Sequence, residues 1–209
     1  MNNQIVVYGA GGHGKVVAES LVASGRTPSG FIDDNPTMVG KVIAGLAVLV
    51  AEEWLRTHVG CKVALGIGDN RARDKAAQRV KSHGCKLLTA IHPSAIIATT
   101  ARIGDGVAIM PAAVLNPDCE IGEGAIINTA AIVEHDVCIG RYAHLAPRST
   151  AAGGSQIGEY SLLGIGANVL PLKRVGANCI IGAGAVVIDD IPDGDTAFGV
   201  PARVHRATL

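Results

Sequence analysis

The chain carries an apolar residue at every sixth position from residue 91 to residue 187. A helix repeats near 3.6 residues and a strand at 2, so neither explains this period. A fixed short period indicates a solenoid, in which coils stack and only the stack buries a core. The members of this ladder are Ile91, Ile97, Ile103, Ile109, Leu115, Ile121, Ile127, Val133, Ile139, Leu145, Ala151, Ile157, Leu163, Val169, Val175, Ile181 and Val187.

A second regularity groups the six-residue units into larger coils. A glycine follows the ladder residue at Ile103, Ile121, Ile139, Ile157 and Val175, each eighteen residues after the last. Two positions before most ladder residues stands a small side chain, which suits a tight corner, and the glycine is expected to relieve the strained turn. Turn-forming residues fill the gaps. We therefore predict a triangular parallel β-helix over residues 89–209.

Composition narrows the function. The 209 residues suffice for two small domains, and the formal net charge is zero without a basic or acidic block, which argues against nucleic acid and anionic membrane as partners. We expect neither a signal peptide nor a membrane-spanning segment. The five cysteines are odd in number and lack C-x-x-C spacing, which favours reduced thiols and a cytoplasmic protein.

Residues 1–88 alternate between strand and helix signals, which predicts a parallel sheet with crossover helices, a Rossmann-like half domain. Strands are expected at QIVVYGA, FIDD, VALGIGDN and Cys85–Ala90. One helix is expected to end at Gly25, and another to be capped by Asn70 and to stop at Gly84.

The first strand leads into Gly9, Gly11 and Gly14, which match G-x-G-x-x-G, with two acids about 20 residues on. This context predicts a phosphate at the helix N-terminus and a ribose hydroxyl at an acid; the alternative is a glycine turn needed only for packing. One half domain leaves room for a mononucleotide or a nucleotide sugar rather than a nicotinamide dinucleotide. The candidate substrate-binding residues are Gly11, Gly12, His13, Asp33, Asp34 and Gly68.

Seven segments spread along the whole chain carry a family resemblance: YGAGGHGKV, FIDD, GIGDN, HPSA, NTAAIVEHDVCIG, YAHLAP and FGVPARV. They resemble the bacterial hexapeptide-repeat sugar O- and N-acetyltransferases, a group that includes sialic acid O-acetyltransferase-like proteins. The closest members acetylate the amine of nucleotide-linked 4-amino sugars. The resemblance implies a left-handed coil, acetyl-CoA as co-substrate without a metal, UDP as the nucleotide, a homotrimer, and a role in surface glycan biosynthesis.

His135 lies two residues past the ladder residue Val133, between Glu134 and Asp136. A carboxylate beside an imidazole fixes its tautomer and raises its basicity. The resemblance implies that His135 is the general base and that Asp136 pairs with it; the alternative is a histidine that is merely solvated.

His144 follows His135 by nine residues, half of one coil, so the two side chains are expected on different sides of one subunit. Either they have unrelated roles, or a neighbouring subunit brings its His144 to this subunit's His135. The second hypothesis predicts a cyclic trimer with active sites between subunits, which the resemblance also implies.

The coil after His135 contains a segment of small residues, Ala151–Gly154. The resemblance implies that the Gly153 N–H meets the thioester carbonyl, as in an oxyanion hole; the alternative is a plain corner. It also implies coenzyme A contacts at His144, Ile165 and Ala183. Lys173 and Arg203 are candidates for the phosphates.

The sequence leaves several activities open. We predict direct attack of an amine on acetyl-CoA, but the same base could deprotonate the hydroxyl of a sugar such as sialic acid. A metal-dependent lyase of the γ-carbonic anhydrase type needs three converging histidines, and only His135 and His144 are well placed. A non-catalytic scaffold leaves the cluster at Glu134–Asp136 unexplained.

Overall fold

The computed structural model describes residues 4–205. Their first part is a six-stranded sheet in the order β3-β4-β2-β1-β5-β6, parallel except for the antiparallel β3–β4 pair. The strands are β1 Ile5–Tyr8, β2 Phe31–Asp33, β3 Val42–Ile43, β4 Leu46–Val50, β5 Lys62–Leu65 and β6 Lys86–Leu87.

Helices cover both faces of this sheet. The helices are α1 Gly12–Ala23, α2 Ala51–Thr57 and α3 Asn70–Ser82. Alternate residues of β1 point to opposite faces, so Val7 packs with α1 while Val6 and Tyr8 pack with α2 and α3. The crossover architecture expected from the sequence is confirmed.

One local expectation for this part is wrong, and one stretch without a prediction acquires regular structure. Asp69, not Asn70, caps α3, because its side chain accepts a hydrogen bond from the Ala72 N–H at 2.7 Å. The stretch between β2 and β5, which carries no clear periodicity, forms the β3–β4 hairpin and α2. The hairpin turns at Ala44 and Gly45, both with positive φ.

The second part is a left-handed parallel β-helix with three faces. From Ala90 to Val187 the strands have two residues, and each strand up to Asn168–Val169 pairs with the strand eighteen residues on; Ile180–Ile181 pairs with the strand sixteen residues on. The first face comprises β7 Ala90–Ile91, β10 Ala108–Ile109, β13 Ile126–Ile127, β16 His144–Leu145, β19 Leu162–Leu163, β22 Ile180–Ile181, β24 Thr196–Phe198 and the antiparallel β25 Arg203–Val204. The second face comprises β8 Ile96–Ile97, β11 Val114–Leu115, β14 Ile132–Val133, β17 Thr150–Ala151, β20 Asn168–Val169 and β23 Val186–Val187. The third face comprises β9 Arg102–Ile103, β12 Glu120–Ile121, β15 Cys138–Ile139, β18 Gln156–Ile157 and β21 Arg174–Val175.

The six-residue ladder fills the interior of this prism. The second residue of each short strand points inward, and from Ile109 to Val187 these residues are buried in one core. The small residues two positions earlier, such as Ala113, Ala143 and Ser149, are also buried. The predicted fold of the ladder is therefore confirmed.

The glycine after the ladder residue serves close approach rather than turn strain. A Cβ on Gly122 would lie 2.6 Å from the backbone nitrogen of Arg141 in the next coil. Residues with a left-handed backbone conformation occupy other positions of the corners. On the corner between the second and third faces they include Asp118 and Asp136, both with φ of 61°. Asparagine and aspartate tolerate this region better than most residues.

The α/β part packs against the first face and its neighbouring corner. Ala90, Ala108, Met110 and Ile126 share a buried core with α1. Tyr142 and Tyr160, at successive corners between the third and first faces, stack with ring centroids 5.8 Å apart beside α3. Within residues 4–205, no helix is both long and apolar enough to cross a membrane.

Candidate active site

A cavity of about 400 Å³ opens beside α1. All six candidate substrate-binding residues line it, so residues far apart in sequence meet at the carboxyl ends of β1, β2 and β5. This edge of a parallel sheet is where such folds bind ligands. Its lining is Tyr8, Gly9, Gly11, Gly12, His13, Asp33, Asp34, Gly66, Ile67 and Gly68.

The glycine-rich turn presents backbone donors to this cavity. Gly11 is the N-cap residue of α1 in an extended conformation, and it provides no side-chain cap. The first N–H groups of a helix lack partners within the helix and attract anions. Gly14 allows the helix to approach β1, because a Cβ there would collide with the Gly9 carbonyl oxygen.

The two acids after β2 are held by different partners. The Asp33 carboxylate accepts hydrogen bonds from the N–H groups of Ala10 at 2.7 Å and Asn35 at 2.8 Å. The Asp34 carboxylate accepts from the Tyr8 hydroxyl at 2.8 Å and forms an ion pair with Arg79 at 2.5 Å. Burial and Asp34 raise the pKa of Tyr8, so its hydroxyl stays protonated.

His13 and His144 lie together where the α/β part meets the prism, with ring centroids 6.3 Å apart. Burial, reinforced by the positive charge of Arg73, lowers the pKa of His13 to about 4 and that of His144 to about 3. His144 Nε2 accepts from Asn128 Nδ2 at 3.0 Å, and the ring also bonds to the backbone of Gly68. Both imidazoles are therefore neutral at pH 7.

His135 has the opposite environment. Its side chain is 63% exposed, and its Nδ1 lies 2.8 Å from Asp136 Oδ2. Because a carboxylate only accepts, Nδ1 carries the proton and Nε2 is free to act as a base. The hydrogen bond with Asp136 raises the pKa of His135 above its ordinary value. Glu134 instead accepts from Asn116 Nδ2 at 2.9 Å.

Gly153 lies directly against the basic nitrogen of His135. A Cβ at this position would stand 2.6 Å from Nε2, so only glycine leaves the imidazole in place. The coils are joined there by a hydrogen bond from the Gly154 N–H to the His135 carbonyl at 2.9 Å. Among the described residues, no partner accepts from the Gly153 N–H, which leaves it available to a ligand.

Of the predicted coenzyme A contacts, Lys173, Ile165 and Ala183 lie along two edges of the second face, whereas His144 and Arg203 belong to the first face. Gly153 and Lys173 lie at its corner with the third face, near His135. Ile165, which is 60% exposed, and Ala183 occupy its corner with the first face, one coil apart. Arg203 lies in β25, where it is 3.5 Å from Asp189.

Within one chain, His135 and the cavity are far apart. His135 occupies the corner between the second and third faces, which is the corner opposite the first face in a three-sided prism. His144 lies on the first face itself, beneath the α/β part. One copy therefore presents the base on one side and the cavity with His144 on another.

Three residues near the cavity escaped the sequence analysis: Tyr8, Arg73 and Arg79. Tyr8 is part of an apolar strand, and both arginines belong to a helix that reads as solvent-exposed. The alternating pattern of β1 places Tyr8 next to Asp34, but no sequence signal indicates the complete burial of Arg73. Between residues 4 and 205, no group of three or more His, Cys, Asp or Glu side chains could hold a metal ion.

Two family models match the chain. Residues 4–80 match the PglD N-terminal domain, and residues 100–131 match the bacterial transferase hexapeptide (six repeats). A curated relative, UDP-N-acetylbacillosamine N-acetyltransferase of Bacillus subtilis (strain 168), is 37% identical over 108 residues. That match spans half of this chain and half of the relative's length.

Solved structures match over nearly the full length. PerB from Caulobacter crescentus, solved with CoA and GDP-perosamine, is 42% identical with a TM-score of 0.93, and the match covers 99% of both chains. The acetyltransferase domain of PglB from Neisseria gonorrhoeae FA1090, solved with acetyl coenzyme A, is 35% identical with a TM-score of 0.91. That match covers 98% of this chain and 100% of the other.

Proposed function

The chain belongs to the hexapeptide-repeat family of nucleotide-sugar N-acetyltransferases, and we propose that it transfers the acetyl group of acetyl-CoA to the amine of a nucleotide-linked 4-amino sugar. In this proposal residues 1–88 bind the nucleotide sugar, and residues 89–209 bind acetyl-CoA and carry the base. The observation that carries it is the contact of His135 Nε2 with Gly153, because a base and an oxyanion donor lie side by side.

The proposed reaction is a direct acyl transfer. The free amine attacks the thioester carbon, a C–N bond forms, and the C–S bond breaks to release the thiol of coenzyme A. His135 Nε2 takes the proton that the amine loses, and this proton ends on the departing sulfur. Asp136 holds the imidazole tautomer, while the Gly153 N–H stabilises the oxyanion.

We propose that the site is completed by a second copy in a homotrimer. If the second face of each prism is turned toward a three-fold axis, each cleft pairs different corners of two neighbours. The corner with His135, Gly153 and Lys173 then meets a corner with Ile165 and Ala183, beside the partner's His144 and cavity. The two separated halves of the site are thereby joined.

The composition of the faces supports this orientation. The outward positions of the second face are mostly apolar, and the side chain of Ile96 is 66% exposed. These positions are Ile96, Val114, Ile132, Thr150, Asn168 and Val186. The outward positions of the third face are mostly polar: Arg102, Glu120, Cys138, Gln156 and Arg174. An apolar stripe that is exposed at Ile96 and half-buried at the other apolar positions is typical of a surface that another copy covers.

The nucleotide is the open part of the proposal. The sequence resemblance predicts UDP, and the curated relative carries UDP in its name. PerB, which matches over nearly the full length, was solved with GDP-perosamine, which favours GDP as the alternative. The pyrophosphate is common to both, and it fits the N–H groups at the start of α1.

A thiol-release assay tests the proposed function. Acetyl-CoA is offered with UDP-linked and GDP-linked 4-amino sugars, and with sialic acid. We expect release with one nucleotide amino sugar and a product that resists hydroxylamine, since an amide survives this treatment and an ester does not. Release with sialic acid alone, or a hydroxylamine-sensitive product, would support O-acetylation instead.

A further inference from the structure

The most deeply buried charge in the described part of the chain is the guanidinium of Arg73, which is 0% exposed. It donates five hydrogen bonds of 2.7–3.0 Å and uses every N–H group that an arginine has. Burial lowers its pKa to about 10, so it remains charged at neutral pH. A buried charge is costly unless it is fully hydrogen-bonded, as this one is.

The partners of Arg73 belong to two different parts of the molecule. Nη1 donates to the carbonyls of Ile67 and Gly68, which line the nucleotide cavity. Nε donates to the Gly124 carbonyl, and Nη2 to the Tyr142 carbonyl, both in the prism. One side chain therefore bonds the wall of the cavity to the coil that carries His144.

Asn70 extends this connection. Its Oδ1 accepts the remaining Arg73 bond at 2.8 Å, and its Nδ2 donates to the Tyr160 carbonyl at 2.8 Å. The cavity loop, residues 66–69, has few other anchors: the Gly66 N–H donates to the Tyr8 carbonyl at 2.7 Å, and the backbone of Gly68 bonds to His144. The prism coils are fixed by their own ladders, so the loop is the element that moves when Arg73 is lost.

We propose that Arg73 is a positioning residue that sets the distance between the nucleotide-sugar cavity and the acetyl-transfer site. This inference rests on the proposed function. Arg73 contacts no reacting atom and acts through the Ile67–Gly68 carbonyls. A displacement of about 1 Å in such an element is enough to slow a reaction by about 100-fold.

Three variants test the proposal: Arg73→Lys, Arg73→Met and Asn70→Ala. Lysine keeps the charge but presents three donors on one nitrogen, so it cannot span both parts. We expect both Arg73 variants to raise the KM for the nucleotide sugar about tenfold or more, with the KM for acetyl-CoA changed less than about twofold. Amide hydrogen exchange should quicken in residues 66–70 and stay unchanged in the prism.

Arg71→Ala is the matched control. Arg71 also joins α3 to the prism, since it lies 3.7 Å from the Tyr160 ring centroid and bonds to Asn178, but it does not touch the loop. We expect this variant to lower Tm without a change in the KM for the nucleotide sugar. If the Arg73 variants fail to fold, Asn70→Ala should give a smaller rise in the same KM.

Two results would overturn the inference. One is an equal rise in the KM for the nucleotide sugar and the KM for acetyl-CoA. The other is an unchanged KM for the nucleotide sugar in the Arg73 variants, or in Asn70→Ala if the Arg73 variants do not fold. Wild-type protein that acetylates no nucleotide sugar contradicts the proposed function instead. The exchange measurement needs no substrate, so it separates these failures.

Discussion

His135 and His144 are the same residue type half a coil apart, yet their surroundings are opposite. His135 is exposed, and its hydrogen bond with Asp136 raises its pKa. His144 is buried under the α/β part, and desolvation lowers its pKa to about 3. The difference shows that the periodic prism assigns roles by corner and face: one histidine suits proton transfer, and the other suits hydrogen bonding in a neutral form.

The largest expected effect comes from removing the proposed base. His135→Ala should lower kcat by about 10²–10⁴, the usual contribution of a general base, while KM and Tm change little because the side chain is exposed. His92→Ala is the control, since His92 bonds to Ser94 away from both histidines of the comparison. A kcat within about twofold of wild type would remove His135 from the mechanism.

Gly153→Ala should produce the next largest loss. The added Cβ meets Nε2 of His135 at 2.6 Å and forces the imidazole out of position, so we expect kcat to fall by about 10–100-fold. Gly194→Ala is a control for backbone strain: a Cβ there meets nothing within 4 Å, so the variant should lower Tm through its positive φ and leave kcat unchanged. Steady-state kinetics of both variants check the prediction. Unchanged activity in Gly153→Ala would contradict it.

Asp136→Asn sharpens the electrostatic half of the comparison. The carboxylate raises the pKa of His135, so its loss lowers that pKa and moves the acid limb of the pH–rate profile to lower pH. We also expect the maximal rate to fall by about tenfold, because a weaker base accepts the proton less well. Asp118→Asn is matched in backbone, with the same φ one coil earlier, and should leave the profile in place.

The smallest effect concerns stability. Folded His144 and His13 have pKa values of about 3 and about 4, below the ordinary 6.5, so the unfolded chain binds these protons first as the pH falls. The stability they contribute is complete above pH 6.5 and is lost as the pH falls through about 4 for His13 and about 3 for His144. His144→Gln should therefore flatten the fall in Tm over this range. His83→Gln, at a histidine whose pKa is raised, should not.

The fold followed from the sequence because its signal is periodic. Each ladder residue repeats the same burial, so seventeen positions all favour one architecture. The secondary structure of the α/β part was harder to predict where packing, rather than the local sequence pattern, determines it, as in the β3–β4 hairpin and α2. The Asp69 cap precedes the predicted Asn70 by one residue, because the Asp69 carboxylate accepts from the Ala72 N–H while the Asn70 side-chain oxygen accepts from Arg73.

The candidate site likewise contains residues that the sequence predicts and residues that it does not. The glycine turn, Asp33 and Asp34 are local signals, and the structure gathers them around one cavity. Arg73 could not be predicted, because its environment is created by the contact between the two parts of the chain rather than by its own helix. The roles of His135, Asp136 and Gly153 stay predictions, now with a geometry that can be tested.

The central claim is that one active site takes His135 from one copy and His144 from the next. A subunit-mixing experiment tests this claim most directly. His135→Ala and His144→Ala proteins are unfolded together, refolded as a mixture, and checked for a trimeric mass. Random assembly makes roughly three in four trimers mixed, each with one intact site of three, so roughly a quarter of wild-type activity should return. Activity that stays at the level of the separate variants in confirmed mixed trimers would contradict the shared site.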